Sequence, residues 1–259
     1  MEFALAIVAM LFWAVGMVLA KPGLARMDVI AYGFIRPIFA SFLVLAYAIV
    51  THSLFFPSAG TVLMAVLGGF VDMFIGVSLF LYAMRRVSAH EVGTLSNTAP
   101  FWGVVISVVW LREQPEVATF VAAALGAGIS WGVADTAIAK YCLAQGLPRP
   151  TLHLVYMLSA GTCWGILAAV KGRLALRYYA WHGLKIALLS AFCAMFAGML
   201  LWLLALEHAP ASVLAPTRGA LTLFVFILSV LALREKPSRR SGVGVALVTA
   251  GVVIASLFA

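Results

Sequence analysis

Two acidic residues lie inside long apolar stretches of this 259-residue chain. Asp72 stands midway through the stretch 60–84, and Asp135 lies in a second stretch further along. Charged side chains at membrane depth cost about 2.5–3.5 kcal/mol each on insertion scales, so they are kept mainly for function. Both acids are therefore candidate coupling residues that bind a proton or another cation. Alternatively, Asp72 is a structural carboxylate paired with Arg36 or Arg218. Asp135 could instead face the lipid headgroups.

Arginine and tryptophan side chains could bind the polar and the apolar part of a solute. Arg218 is a candidate substrate-binding residue, because a guanidinium can hold a carboxylate or a phosphate through two parallel hydrogen bonds. Trp13 and Trp131 are further candidates, since they occupy matching positions in two similar segments. Their rings could wall a cavity and attract cations, or they could anchor helices at the membrane interface.

Asn97 and Thr98 complete the set of candidate substrate-binding residues. They lie within one helical turn before Pro100, in another apolar stretch. A proline removes a backbone hydrogen bond and frees a carbonyl group, as in the interrupted helices that form transporter binding sites. The two polar side chains could contact a solute beside that carbonyl, or they could hold neighbouring helices together.

The cysteines and histidines do not indicate a metal site. The three cysteines and five histidines are scattered, and neither HExxH nor CxxC occurs. Structural and catalytic metal sites need such ligands at short, regular spacings. We therefore expect no catalytic residue, no metal and no cofactor, and an intramembrane enzyme is a remote alternative.

The composition requires a lipid environment. Hydrophobic residues make up 64% of the chain and charged residues 10%, with a mean hydropathy of +1.10. A soluble domain is roughly 45–50% apolar and about a quarter charged. The net charge of +8 lies mostly between apolar stretches, where it sets orientation in a bilayer and does not indicate nucleic acid as a partner. We expect a multi-pass protein of the cell membrane, the inner membrane where a cell has two.

Apolar stretches of about 20 residues predict membrane-spanning helices. The clear ones are 3–20, 29–50, 61–83, 92–111, 151–170, 184–206, 212–233 and 241–258. One further stretch, 116–145, is long for a single helix and short for two. An all-α integral membrane fold with ten spans is therefore expected, and nine spans are the alternative.

An internal repeat favours ten spans. Residues 62–115 align with 184–237 without a gap, and both segments end in Leu-Arg-Glu-x-Pro. In addition, the segment 13–21 resembles 131–140, because each begins with tryptophan and ends with Ala-Lys. A second repeat therefore begins inside the stretch of uncertain span count.

The repeat divides the chain into two halves of about five helices, 1–125 and 126–259. Because five is an odd number, two such halves must lie antiparallel, which is the inverted-repeat plan of many secondary transporters. Ten spans also place most of the 17 Lys and Arg residues on one side of the membrane. A strong bias of this kind is typical of membrane proteins.

Several short motifs lie in or beside the predicted spans, one after another along the chain. They are Trp13 with Lys21, Arg36, Tyr82 to Arg85, Thr98 to Phe101, and Arg112-Glu113 with Arg234-Glu235. In this order, and over essentially the whole chain, they resemble the drug/metabolite transporter superfamily in its EamA-like branch. The resemblance implies small-molecule transport by alternating access, often as export of amino acids or other metabolites.

The sequence thus predicts a secondary active transporter that exports a small polar or amphipathic metabolite, an amino acid or an organic cation. Its expected partners are that solute, a proton as coupling ion and the lipid bilayer, with the chain as a monomer or a homodimer. The alternative within the same superfamily is a flippase for a lipid carrier, of the small multidrug-resistance type.

Overall fold

A computed structural model describes residues 1–96, 130–209, 214–237, 242–243 and 245–246. Within these ranges the regular secondary structure is helical throughout. The helices are α1 (Glu2–Leu24), α2 (Val29–Val50), α3 (Ala59–Met84), α4 (Ala89–Ser96), α5 (130–144), α6 (Arg149–Val170), α7 (Trp181–His208) and α8 (Gly219–Leu233). Short 3₁₀ turns occur at Leu176–Tyr178 and Ala215–Arg218.

Five of these helices are long and apolar enough to cross a membrane, namely α1, α2, α3, α6 and α7. They coincide with five of the predicted spans, so a multi-pass membrane protein is confirmed. Helix α8 is apolar but shorter. The number of spans and the relative direction of the two halves stay predictions, because much of 97–129 and 238–259 lies outside the described residues.

Side-chain caps define where several helices begin. Asp28 Oδ1 accepts hydrogen bonds from the backbone N–H groups of Ile30 and Ala31 at the start of α2, at 3.0 and 3.3 Å. At the start of α4, Glu91 Oε2 accepts a hydrogen bond from the Ser88 N–H group at 3.3 Å. Such contacts satisfy backbone donors that a helix leaves without internal partners. Glu91 therefore has a structural role at this helix start, as its position near the N-terminus indicates.

Two lysines bind helix ends at matching places in the repeat. Lys21 Nζ donates to the carbonyl of Val87, just beyond α3, at 2.5 Å. Lys140 Nζ donates to the carbonyls of Leu206 and Ala209, the latter at 2.9 Å, at the end of α7. Val87 and Ala209 are aligned residues of the repeat, so α3 and α7 are followed by equivalent contacts between a lysine and a backbone carbonyl. A cation is well placed there because the carbonyl end of a helix carries partial negative charge.

Three π-helical segments interrupt the α-helices. Phe70–Gly76 in α3 and Ala191–Gly198 in α7 occupy aligned positions of the repeat. The third, Gly132–Ile138 in α5, explains why 131–140 is one residue longer than 13–21. A π-turn closes its hydrogen bond over one more residue than an α-turn, so it absorbs the insertion without breaking the helix.

Small residues allow the helices to pack closely around α1. A Cβ atom added at Gly16 would lie 2.4 Å from Ala194 Cβ on α7. A Cβ atom added at Gly33 on α2 would lie 2.6 Å from the Trp164 ring on α6. Such small residues at helix contacts are typical of membrane proteins. Large side chains such as Phe42 and Leu63, 67% and 68% exposed, point outward from the bundle, where lipid would cover them.

Candidate substrate cavity

A cavity of about 60 Å³ lies among α1, α2, α3, α5, α7 and α8. Its walls are mainly aromatic and aliphatic, and four ionisable side chains face it, namely Arg36, Asp72, Asp135 and Arg218. A space of this size holds a few water molecules or the polar end of a small solute. The cavity therefore combines apolar walls with convergent charged groups, as small-molecule sites do.

Most of the predicted site residues meet at this cavity. The lining includes Trp13, Asp72, Trp131, Asp135 and Arg218. The other two predicted residues, Asn97 and Thr98, lie outside the described residues. Five of the seven candidates are thus brought together from four segments of the chain that are widely separated in sequence.

Arg218 and Asp135 form a buried ion pair across the cavity wall. Two guanidinium nitrogens of Arg218 contact the two carboxylate oxygens of Asp135, Nη1 to Oδ1 and Nη2 to Oδ2, the latter at 2.9 Å. Both side chains are less than 5% exposed. The alternative that Arg218 pairs directly with Asp72 is wrong, because its guanidinium contacts Asp135. The alternative position of Asp135 at the lipid headgroups is wrong as well.

The surroundings of Arg218 hold its guanidinium in place. The indole rings of Trp13 and Trp202 lie 5.2 and 5.4 Å from its central carbon. Nη1 also lies 3.4 Å from the Thr136 hydroxyl, while Nε is buried without a hydrogen-bond acceptor within the described ranges. Aromatic faces attract a desolvated cation, so the rings and the carboxylate together stabilise this arginine.

Asp72 has a different environment. Its side chain is 1% exposed, and its Oδ2 atom is buried and has no hydrogen-bond partner among the residues that the structure describes. Arg36 also faces the cavity, and its guanidinium carbon lies 5.2 Å from the Tyr32 ring centre. Among the described residues, no ion pair joins Arg36 to Asp72. The cavity thus contains one acid and one base without a direct counter-charge on the described part of the chain.

The two predicted tryptophans are cavity walls with matching partners. Trp13 packs against Trp202 at 5.6 Å between ring centres, and Trp131 packs against Phe80 at 5.5 Å. Trp202 and Phe80 are aligned residues of the repeat. Neither aromatic residue is among the candidates predicted from the sequence, although the alignment that pairs them could have indicated both. The alternative that Trp13 and Trp131 are interface anchors is wrong, because each is only 8% exposed.

One sequence pattern bears on the enzyme alternative. Gly128-Ile129-Ser130-Trp131-Gly132 has the Gly-x-Ser-x-Gly form of many hydrolases. In those enzymes the serine stands on a sharp turn between a strand and a helix. Here Ser130 begins the described part of helix α5, and the described ranges contain no strand. The described ranges therefore do not show the strand–turn–helix arrangement in which this pattern forms a hydrolase active site.

The helices define a multi-pass membrane protein, and a cavity with four ionisable side chains among its described lining residues lies between them. The sequence matches the EamA-like transporter family twice, over residues 1–127 and 119–257. The chain belongs to the EamA-like transporter family, whose members are membrane transporters of small substrates and not enzymes.

Solved structures share this fold. Twelve chains match, and one of them, titled only as the crystal structure of a protein, has a TM-score of 0.75. That match covers 100% of this chain and 98% of the other, at 14% identity. At this identity the likeness concerns the fold alone. No curated protein matches the sequence.

Proposed function

We propose that this protein is a secondary active transporter that exports a small polar or amphipathic metabolite by alternating access. The observation that carries the proposal is Asp72, a carboxylate buried in the cavity without an ion-pair partner among the described residues. A lone buried charge is too costly to be kept for stability alone. A proton or a cationic group of the solute would neutralise it.

The architecture that we propose is two inverted repeats, 1–125 and 126–259, with five spans each. Matched contacts support it, since Trp13–Trp202 and Trp131–Phe80 relate the two halves reciprocally. A two-fold relation of this kind would place the cavity at the interface of the repeats, where inverted-repeat transporters bind their solutes.

Coupling is assigned to Asp72 and Asp135. In the proposed cycle a proton and a cationic solute group occupy Asp72 in turn, so that inward proton movement drives outward solute movement. Asp135 takes part when the cavity opens, because release of Arg218 would leave a second carboxylate available. Binding of the proton or of the solute can shift the equilibrium between the two conformations only by its difference in affinity for them.

The proposed substrate is an amino acid or an organic cation. Its cationic group would lie at Asp72, and a carboxylate could take the place of Asp135 on Arg218. Trp13 and Trp131 would flank its apolar part, and Asn97 and Thr98 would add hydrogen bonds. We propose that the protein works in the cell inner membrane as a monomer or a homodimer.

A ligand screen identifies the solute first. The purified protein is heated in detergent with amino acids, polyamines, nucleosides, organic cations and a polyprenyl phosphate in separate samples. A ligand that binds only the folded state adds about 2.7 kcal/mol of stability at 100 times its dissociation constant. Stabilisation by an amino acid or an organic cation supports the proposal. Stabilisation only by a polyprenyl phosphate would replace it with the lipid-carrier flippase.

Flux measurements with Asp72→Asn then test the mechanism. In proteoliposomes the variant should lose accumulation driven by a pH gradient but keep exchange of labelled for unlabelled substrate, because Asn fits the same space and cannot take up a proton. Asp28→Asn is the matched control, since Asp28 lies outside the cavity and Asn is an equally good helix cap. Undiminished pH-driven accumulation by Asp72→Asn would overturn the role of Asp72.

A further inference from the structure

The connection between α6 and α7, residues 171–180, brings two arginines to one phenol. Arg173 Nη1 donates to the Tyr178 hydroxyl at 2.6 Å, and Arg177 Nη2 donates to the same oxygen at 3.2 Å. Both guanidinium groups also lie beside the ring, 4.6 and 5.0 Å from its centre. Two like charges are therefore held within a few ångströms of each other.

The protein supplies little negative charge at this point. Asp28 Oδ2 lies 3.5 Å from Arg173 Nε, while the other oxygen of Asp28 caps α2. Arg177 is exposed and has no carboxylate partner among the described residues. The hydrogen bond from Arg177, followed by that from Arg173, lowers the pKa of Tyr178 from its ordinary value. The cluster therefore has an excess of positive charge that an anion would balance.

Exposed apolar side chains surround the arginine pair. Leu174 is 49% exposed and Leu176 88%, in the same short connection. Trp181, at the start of α7, is 63% exposed, and Lys185 Nζ lies 4.8 Å from the centre of its ring. A tryptophan beside a lysine at a helix end is typical of the membrane interface. Exposed leucines in water would be unfavourable, whereas at that interface they insert among acyl chains.

We propose that Arg173, Arg177 and Tyr178 form a binding site for the phosphate of an anionic phospholipid. Arginine pairs hold phosphate oxygens through parallel charged hydrogen bonds. The site lies where two membrane-spanning helices end, which is the level of the lipid headgroups. Leu176 and Trp181 favour a lipid over a free phosphate ion, because acyl chains can contact these apolar side chains and a free phosphate ion has no apolar part.

This site is separate from the transport cavity and independent of the proposed function. None of its members lines the cavity. It lies on the membrane side that the predicted ten spans make rich in Lys and Arg, and the leaflet facing such a side carries the anionic lipids. Lipid binding therefore needs no transported solute and can be measured without one.

The experiment is native mass spectrometry of the full chain in detergent with defined added lipids. The wild-type protein should retain dioleoylphosphatidylglycerol in preference to dioleoylphosphatidylcholine, because both carry a phosphate but only the former is anionic. The double variant Arg173→Gln with Arg177→Gln should lose this preference, with affinity lower by about tenfold, as expected for the loss of a charge-assisted hydrogen bond.

Arg86→Gln is the matched control. Arg86 Nη1 also lies beside a tyrosine hydroxyl, that of Tyr82 at 3.2 Å, with its guanidinium carbon 5.3 Å from the ring centre. It is exposed and on the same predicted side of the membrane. This variant should bind the anionic lipid like the wild type. Equal losses in the control and the double variant would overturn the site in favour of general attraction by surface charge.

One further variant separates a bound phospholipid from a bound soluble anion. Leu176→Ser should weaken binding of the long-chain anionic lipid but not of sn-glycerol 1-phosphate. Equal binding of both by the wild type, unaffected by Leu176→Ser, would overturn the lipid assignment in favour of a soluble anion.

The single variant Arg177→Gln, which changes an exposed residue, replaces the double variant if the latter does not fold. Unchanged lipid preference in that variant would overturn the proposal.

Discussion

The two acids of the cavity occupy similar depths and have opposite surroundings. Asp135, in the second half of the chain, is neutralised by two contacts from Arg218, whose guanidinium lies beside two indole rings. Asp72, in the first half, is as deeply buried and has an oxygen without a hydrogen-bond partner on the described part of the chain. Burial alone therefore does not tell a structural carboxylate from one available to a solute. The neighbouring charges do.

The frame around the two acids is symmetric, and the charges are not. The aromatic pairs, the π-helical segments in α3 and α7 and the lysines at the helix ends have counterparts in both halves. In contrast, the residue aligned with Asp72 is Ala194, and the residue aligned with Arg218 is Ser96. A symmetric frame lets the halves exchange roles during alternating access, whereas asymmetric charges bind a solute in one orientation.

The largest expected effect follows from breaking the satisfied pair. Arg218→Gln leaves Asp135 charged and buried without its partner, and such a loss destabilises a protein by about 3–5 kcal/mol. The midpoint of thermal unfolding in detergent should fall accordingly. Arg218→Gln combined with Asp135→Asn should recover much of this loss, because neither residue of the double variant is charged. A double variant no more stable than Arg218→Gln alone would contradict the assignment of the pair.

Two aligned glycines allow a comparison of the cavity walls. A Cβ atom at Gly198 would lie 2.5 Å from the Trp13 ring, and one at Gly76 would lie 2.6 Å from the Trp131 ring. Overpacking of this kind costs about 1–3 kcal/mol. Gly198→Ala should cost more in a thermal unfolding experiment, because the Trp13 N–H group is held by the Ala194 carbonyl at 2.9 Å and the ring cannot easily move.

The control for both glycine variants is Gly242→Ala. An added Cβ atom at Gly242 has no described neighbour within 4 Å. This change should leave the thermal midpoint unchanged or raise it slightly, because alanine favours helix. If Gly76→Ala lowered the thermal midpoint more than Gly198→Ala, Trp131 and not Trp13 would be the ring that cannot move, which contradicts the prediction.

The two lysines at the helix ends should differ by a smaller amount. Lys140→Met removes charged hydrogen bonds to two carbonyl groups, and Lys21→Met removes one, together with a weak ion pair to Glu235 at 3.9 Å. A hydrogen bond to a charged group contributes about 1.5–3 kcal/mol. Chemical or thermal unfolding of both variants should show the larger loss for Lys140→Met. Equal losses would mean that the Glu235 contact compensates for the second carbonyl.

The smallest effect on stability is expected for Asp72→Asn. The substitution keeps the shape of the side chain and removes a charge that has no ion-pair partner among the described residues. The free energy of unfolding should therefore change by less than about 1 kcal/mol, or increase because the folded state becomes more stable. Asp135→Asn, measured alongside, should be clearly destabilising. A large loss for Asp72→Asn would mean that this carboxylate is part of a structural network, as the sequence alternative with Arg36 has it.

The sequence by itself determined the solvent, the class of fold and the positions of the long helices. An apolar stretch of about 20 residues has only one stable arrangement in lipid, because every backbone polar group must be satisfied within it. For this reason α1, α2, α3, α6 and α7 begin and end close to the predicted limits. The same reasoning singled out Asp72 and Asp135, since an acid inside such a stretch is conspicuous without any structure.

Only the tertiary structure decided which charged groups meet. Asp135 and Arg218 are 83 residues apart, and hydropathy does not fix how a buried helix is rotated about its axis. The π-helical segment in α5 changes that rotation further, because one added residue turns the following side chains by roughly 100°. The partner of Arg218 therefore depends on packing between distant helices, and for this reason the sequence left the role of Arg218 open and did not pair it with Asp135.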